Sequence, residues 1–239
     1  KERASMTQEE FILELKKINI NLSDKQIEQL DKYYSLLIEW NKKINLTSII
    51  EKKDVYLKHF YDSLTIAKVI DLNKINNLCD VGTGAGFPGL VLKIVFPNLN
   101  VTLVDSLNKR INFLSEVIKN LELNNIIAIH DRAEEYATKN REIYDVVVAR
   151  AVAQLNILSE YCLPLVKING CFIAMKSNIE NEYNNSLKAI NLLNGKVSKV
   201  ESFNLPIENS LRTIIKIDKL SKTDIKYPRK FNDIKKKPL

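Results

Sequence analysis

Asp80-Val81-Gly82-Thr83-Gly84-Ala85-Gly86-Phe87-Pro88-Gly89 holds four of the six glycines in a 239-residue chain. Glycine is scarce elsewhere, so the cluster has a local cause. It permits positive φ and lets a ligand approach the backbone closely. Before it, Ile75-Asn76-Asn77-Leu78-Cys79-Asp80-Val81 reads as a buried strand. After it, Leu90–Phe96 reads as a helix, with Pro88 near its first turn. Strand, glycine-rich turn and helix together place a ligand at a strand's carboxyl end in an α/β sheet.

Downstream the alternation continues. Strands are expected at Val101–Asp105, Ile126–Ile129, Tyr144–Ala149 and Gly170–Met175, with helices between them over Lys109–Leu121, Ala133–Thr138 and Leu155–Leu165. A helix over Ile179–Leu193 follows. Val197–Phe203 and Leu211–Ile217 leave no room for a helix and must pair antiparallel. The pattern predicts a mostly parallel seven-stranded sheet, closed by an antiparallel strand and covered by helices on both faces.

Upstream, the periodicity is helical. Thr7 and Ser23 are N-cap candidates, and apolar faces follow at Phe11, Leu15 and Ile18 and at Leu30, Leu37 and Trp40. Glu51–Ile70 reads as another helix, carrying His59 and Asp62. Residues 6–72 are therefore expected to form a helical cap, 73–220 the α/β domain and 221–239 a basic tail. Met6 reads as the natural start, with residues 1–5 an added leader. The tail region from Lys219 onward has eight Lys or Arg against two Asp.

The net charge of +7 favours acidic partners, nucleic acid above all. No apolar run is long enough to cross a membrane. Cys79, Cys162 and Cys171 sit on scattered apolar runs, suiting buried thiols in a reducing, cytoplasmic setting. With two histidines and no Cys-x-x-Cys, no metal site is expected.

The loop satisfies two cofactor patterns. Gly84-x-Gly86-x-x-Gly89, with Asp105 about 20 residues on, fits a dinucleotide site and hence an NAD-dependent oxidoreductase. Asp80-x-Gly82-x-Gly84-x-Gly86 fits a class I, Rossmann-like, S-adenosylmethionine methyltransferase. Pro88 removes a donor where a pyrophosphate would want one, and the antiparallel ending suits the second pattern. On that reading Asp80 faces the cationic end of the cofactor. Gly82, Gly84 and Gly86 let the backbone pass beneath its methionine part. Asp105 takes the ribose hydroxyls, and Asp131–Glu134 lie at the adenine. Against this stand a helix-capping role for Asp105 and a solvated one for Glu134.

With Leu103-Val104-Asp105-Ser106-Leu107 and Lys109-Arg110-Ile111 added to the loop, the chain resembles the RsmG (GidB) family, ribosomal RNA small-subunit methyltransferases that act on guanine N7. Asn45-Leu46-Thr47, His59–Leu64, Arg132–Glu135, Arg150–Ala153 and the Lys226-Tyr227-Pro228-Arg229-Lys230 … Lys237-Pro238-Leu239 ending extend the resemblance along nearly the whole chain. It implies cofactor contacts at Gly82, Phe87, Ala133, Glu134 and Arg150, a 16S RNA partner and a monomer. One departure is Ser177 after Lys176, where the family usually has glycine.

N7 of guanine carries an available lone pair, so no catalytic base is expected. Arg150, Lys176 and His59 are candidates for positioning the substrate, although a buried histidine often has only a structural role. His59 and Asp62 could also bond one another to pin the cap. Lys109, Arg110, Lys176, Arg229 and Lys230 are candidates for holding RNA phosphates. The tail could clamp RNA or merely aid solubility. A non-catalytic basic RNA-binding protein also remains an alternative.

Overall fold

Two capping boxes open the N-terminal region in the computed structural model, which describes residues 6–150 and 153–239. Thr7 and Glu10 start α1 (Gln8–Lys17), and Ser23 and Gln26 start α2 (Asp24–Asn41) by the same reciprocal bonding. The helix expected over Glu51–Ile70 is present but irregular. It runs from α3 (Lys52–Val55) through a π-helical segment, Tyr56–Tyr61, into α4 (Asp62–Leu64) and a 3-10 turn at Thr65–Lys68. Its buried face holds Val55, Leu57, Phe60 and Leu64.

The chain then alternates as expected: β1 (Asn77–Val81), α5 (Gly89–Val95), β2 (Asn100–Asp105), α6 (Asn108–Asn120), β3 (Ile126–His130), α7 (Ala133–Lys139), β4 (Tyr144–Arg150), α8 (Leu155–Cys162), β5 (Val166–Lys176), α9 (Tyr183–Leu192), β6 (Gly195–Asn204) and β7 (Leu211–Lys219). The sheet order is β3-β2-β1-β4-β5-β7-β6, with β7 antiparallel to both neighbours and every other pairing parallel. Order reverses between β1 and β4, and that switch point is where open α/β sheets bind ligands. The two faces bury separate cores. Leu78, Leu103 and Val148 pack toward the cap residues Tyr33, Phe60 and Leu64, while Cys79, Val147 and Phe172 pack toward α8. The N-terminal helices thus share a core with one sheet face.

Two local readings need correction. α9 starts at Tyr183 and not at Ile179, because the preceding residues form a turn that delivers the Glu182 carboxylate to the amide of Leu155. The basic ending is no loose tail. It forms α10 (Phe231–Lys236), and Thr223, Tyr227 and Ile234 are buried. The Arg141 guanidinium donates to the carbonyls of Thr223, Asp224 and Tyr227. Arg229 makes a two-oxygen contact with the buried carboxylate of Glu160, at 2.9 and 2.8 Å. The leader reading of residues 1–5 lies outside the described residues, as do Ala151 and Val152 of the Arg150–Ala153 motif.

Candidate active site

The glycine loop is braced from three sides. At the tip of β1, Asp80 is fully buried, and its Oδ2 accepts from Thr83 Oγ1 at 2.7 Å and Gly89 N at 2.8 Å. Burial pushes its pKa up to about 7, against the lowering effect of those two bonds. Below the loop, the Val104 carbonyl accepts from Gly82 N and Thr83 N, and Asp105 Oδ2 accepts from Gly84 N at 2.9 Å. From the cap, the Tyr33 hydroxyl donates to the Ala85 carbonyl. Gly82, Gly84 and Gly86 all have positive φ, as the sequence required. At Gly86 a Cβ would also lie 2.5 Å from the Tyr33 hydroxyl.

Phe87 leaves the loop into a cage of cap and strand side chains. Its ring stacks on His59 at 4.3 Å between centroids and 11° between planes, and the Arg150 guanidinium lies 5.2 Å from its centroid. Arg150, at the end of β4, is fixed by acceptors from the irregular cap helix. It donates to the Lys58 carbonyl, to Asp62 Oδ2 and to His59 Nδ1, each at 3.1 Å. Asp62 also accepts from Arg212 of β7 at 3.0 Å. The His59 and Asp62 side chains therefore do not bond one another. They converge on Arg150, because the π segment turns both toward the strand ends.

A cleft of about 620 Å³ lies over the carboxyl ends of the central strands, within the usual size of small-molecule sites. Gly82, Asp105, Ala133, Glu134 and Arg150 line it, as the sequence reading expected of cofactor contacts. Asp80, Gly84, Gly86 and Phe87 are not among its lining residues. They shape the loop from behind, and Oδ2 of Asp80 is the oxygen that braces it. Glu134 is buried and pairs with Arg132 at 3.3 Å, so the solvated reading fails.

The expected RNA contacts fall in different places. Lys109 and Lys230 are exposed. Arg110 instead lines the cleft, with Nη1 3.4 Å from each oxygen of Asp105. Lys176 is drawn inward, donating to the Ala153 carbonyl and pairing with Glu182 at 3.3 Å. Arg229 is spent on Glu160.

Sequence reasoning missed the far wall. Ile157 and Tyr161 of α8 and Phe231 and Lys235 of α10 complete the cleft, and the Arg132 guanidinium sits 4.3 Å from the Phe231 ring centroid. No local signal marks these residues, because their partners lie far off in the chain.

The lining suits a nucleoside with a cationic end. It has a carboxylate for hydroxyls at Asp105, and it has apolar and aromatic walls for a base at Val81, Val104, Ile157 and Phe231. Behind the loop, Asp80 Oδ1 is buried with no partner among the described residues, an acceptor that a ligand's ammonium group would suit. A family described as rRNA small subunit methyltransferase G (GidB) matches residues 26–211.

The chain belongs to that family.

It is 54% identical over 237 residues to the ribosomal RNA small subunit methyltransferase G of Bacillus subtilis (strain 168), spanning 98% of this chain and 99% of that one. The same identity and coverage hold for the protein of that name from Bacillus licheniformis. Among solved structures, the mitomycin 7-O-methyltransferase MmcR aligns with a TM-score of 0.57 at 13% identity, over 78% of this chain and 60% of that one. M. jannaschii TYW2 in complex with AdoMet aligns with a TM-score of 0.52 at 16% identity, over 62% and 73%. These two likenesses concern the fold, the Rossmann-like methyltransferase sheet with its antiparallel ending.

Proposed function

We propose that this protein transfers a methyl group from S-adenosylmethionine to N7 of a loop guanine in small-subunit (16S) ribosomal RNA. The observation that carries the reading is the cleft itself. Gly82, Asp105 and Glu134 line it at the switch point of the sheet, in a chain that matches the named relatives almost end to end. A dinucleotide-dependent oxidoreductase is not favoured, since no such protein is among those relatives.

When bound, the cofactor supplies an electrophilic methyl whose bonding pair returns to a neutral sulfur. The chain's residues hold and orient. Asp105 accepts from the ribose, with Arg110 limiting its freedom. Ala133 and Glu134 meet the base, and Gly82 allows close approach of the loop. The guanine lone pair needs no base to free it, so the protein's task is alignment in a site with little water. Arg150 serves as a fixed cation balanced by Asp62, with His59 holding its second nitrogen. Lys109 and Lys230 are free to meet RNA phosphates.

Residues 6–72, 73–220 and 221–239 then act as a brace on the loop, the cofactor domain and the closing wall. We assign the protein to the cytoplasm as a monomer. The test is mass mapping of small-subunit RNA from cells with and without it. One methylguanine that vanishes and returns with the wild-type gene is expected, and an unchanged map refutes the reading. Calorimetry with S-adenosylhomocysteine against NAD checks the cofactor.

A further inference from the structure

A second cavity, about 520 Å³, opens where β4 and β5 end, and Ala153 lines both it and the cofactor cleft. Its other walls are polar and include Gln154, Lys176, Asn178, Asn181 and Glu182. The Lys176 side chain is only 9% exposed, and its ammonium pairs with Glu182 Oε2 at 3.3 Å. The same oxygen accepts from Leu155 N at 2.7 Å, which fixes the carboxylate against the first turn of α8. Among the described residues no group donates to Oε1. The cavity thus presents an anchored carboxylate with one oxygen to spare, beside an ammonium held by two acceptors.

We propose that this cavity receives the substrate guanine and that Glu182 reads its Watson–Crick edge, accepting from N1–H and the 2-amino group while Lys176 donates to O6. The inference rests on the guanine-N7 methyltransferase reading above. Bases taken out of a stack are read in this way, by hydrogen bonds to that edge. The donor pattern selects guanine. Adenine would set a bare N1 lone pair against the carboxylate and an amino group against the ammonium, and both contacts repel. Held by this edge, the purine leaves N7, on its opposite edge, free to react.

The contact also assists the chemistry. N7 forms the new bond with its own lone pair, the carbon–sulfur bond breaks with its pair kept by sulfur, and the positive charge passes to the purine. N1–H becomes more acidic as that charge grows. Its bond to a carboxylate is then stronger in the transition state than in the ground state, which is the condition for raising the rate. The charge of Lys176 opposes the same change, and its pairing with Glu182 offsets this.

The test compares small-subunit RNA, free and reassembled into subunits, carrying guanosine or inosine at the position the wild type methylates. Inosine keeps N1–H and O6 and lacks only the 2-amino group. Wild type should favour guanosine by about tenfold in kcat/KM, the worth of one charge-assisted bond. Glu182→Gln keeps an acceptor for Leu155 N and removes the charge. It should lower kcat and bring the guanosine-to-inosine ratio near one, with S-adenosylhomocysteine affinity unchanged by calorimetry. Glu182→Asp should retain the preference. A fall in kcat with the ratio unaltered makes Glu182 a support for α8 alone and overturns the assignment, as does loss of S-adenosylhomocysteine affinity in step with transfer. If the wild type methylates no guanine, the underlying reading fails and the inference with it.

Discussion

His59 Nδ1 accepts a hydrogen bond from the Arg150 guanidinium at 3.1 Å while Nε2 lies 2.9 Å from Thr47 Oγ1. A guanidinium has only donors, so Nδ1 carries no proton and the neutral ring is protonated on Nε2, which donates to Thr47. Burial, and then the charge of Arg150, lower the pKa of His59 to about 3. The histidine is thus an acceptor that aims a cation, and acid would destroy the arrangement.

Stability should therefore carry two opposing pH terms. His59 has a depressed folded pKa, so it contributes stability above its unfolded value near 6.5, and this is lost as pH falls toward about 3. Asp80 has a raised folded pKa, so its contribution is full below about 3.8 and is lost as pH rises through about 7. Each has a limiting slope of about 1.4 kcal/mol per pH unit inside its window. In urea melts across pH 4 to 7.5, His59→Gln should cost more at neutral than at acid pH. Asp80→Asn should be better tolerated at neutral than at acid pH. Difference curves that stay flat for both variants would remove both groups from the pH response.

Gly84 and Gly86 separate backbone strain from crowding. Both have positive φ, yet a Cβ at Gly84 meets nothing within 4 Å, whereas one at Gly86 strikes the Tyr33 hydroxyl. Gly84→Ala should cost about 1 kcal/mol of stability, from conformation alone. Gly86→Ala should cost roughly 2–4 kcal/mol, because crowding adds to the strain. Equal thermal shifts would show that Tyr33 yields freely.

Asp105 and Arg110 should act on the same ligand. Their 3.4 Å contacts lie in the cleft wall, so Asp105→Asn and Arg110→Ala should each weaken S-adenosylhomocysteine binding by about tenfold. RNA binding that falls in Arg110→Ala with cofactor affinity intact would restore the phosphate role expected of that residue from its place in the sequence.

The Arg229–Glu160 ion pair is one of the anchors of the C-terminal wall, beside the Arg141 contacts. Removing Arg229 leaves the Glu160 carboxylate, only 1% exposed, without its partner, a change worth about 3 kcal/mol. Arg229→Ala should lower the melting temperature and release α10 to proteolysis. It should also weaken S-adenosylhomocysteine binding, as Phe231 leaves the cleft. A variant with normal stability and cofactor affinity but weak RNA binding would return Arg229 to the phosphate-contact role.

The central sheet was legible because its signals are local. Apolar runs such as Val146–Ala149 and Leu103–Val104, followed by Arg150 and Asp105, mark parallel strands whatever surrounds them. The four clustered glycines mark the turn that the strand must make. Asp105 and Glu134 were legible too, since a strand-end acid and an acid in a helix's first turn sit at fixed places in a β-α unit. The tail misled because its charge is local while its anchors are not. Arg141 meets Thr223, Asp224 and Tyr227 more than 80 residues on, and Glu160 meets Arg229 across 69.

The sequence by itself determined the alternation of elements, the antiparallel ending, the glycine loop and, through the resemblance, the family. Each follows from spacing along the chain, which needs no knowledge of distant contacts. Only the tertiary structure decided what each charge is for. Whether an arginine meets phosphate, cofactor or carboxylate depends on which acceptor the fold brings within about 3 Å, and neighbours in space need not be neighbours in sequence. Asp80 was read as facing the ligand, and the fold engages one of its oxygens in bracing the loop while the other has no partner among the described residues. His59 and Asp62, for which a mutual bond was one reading, both hold Arg150. Arg229 was read as a phosphate contact, and the fold pairs it with the buried carboxylate of Glu160.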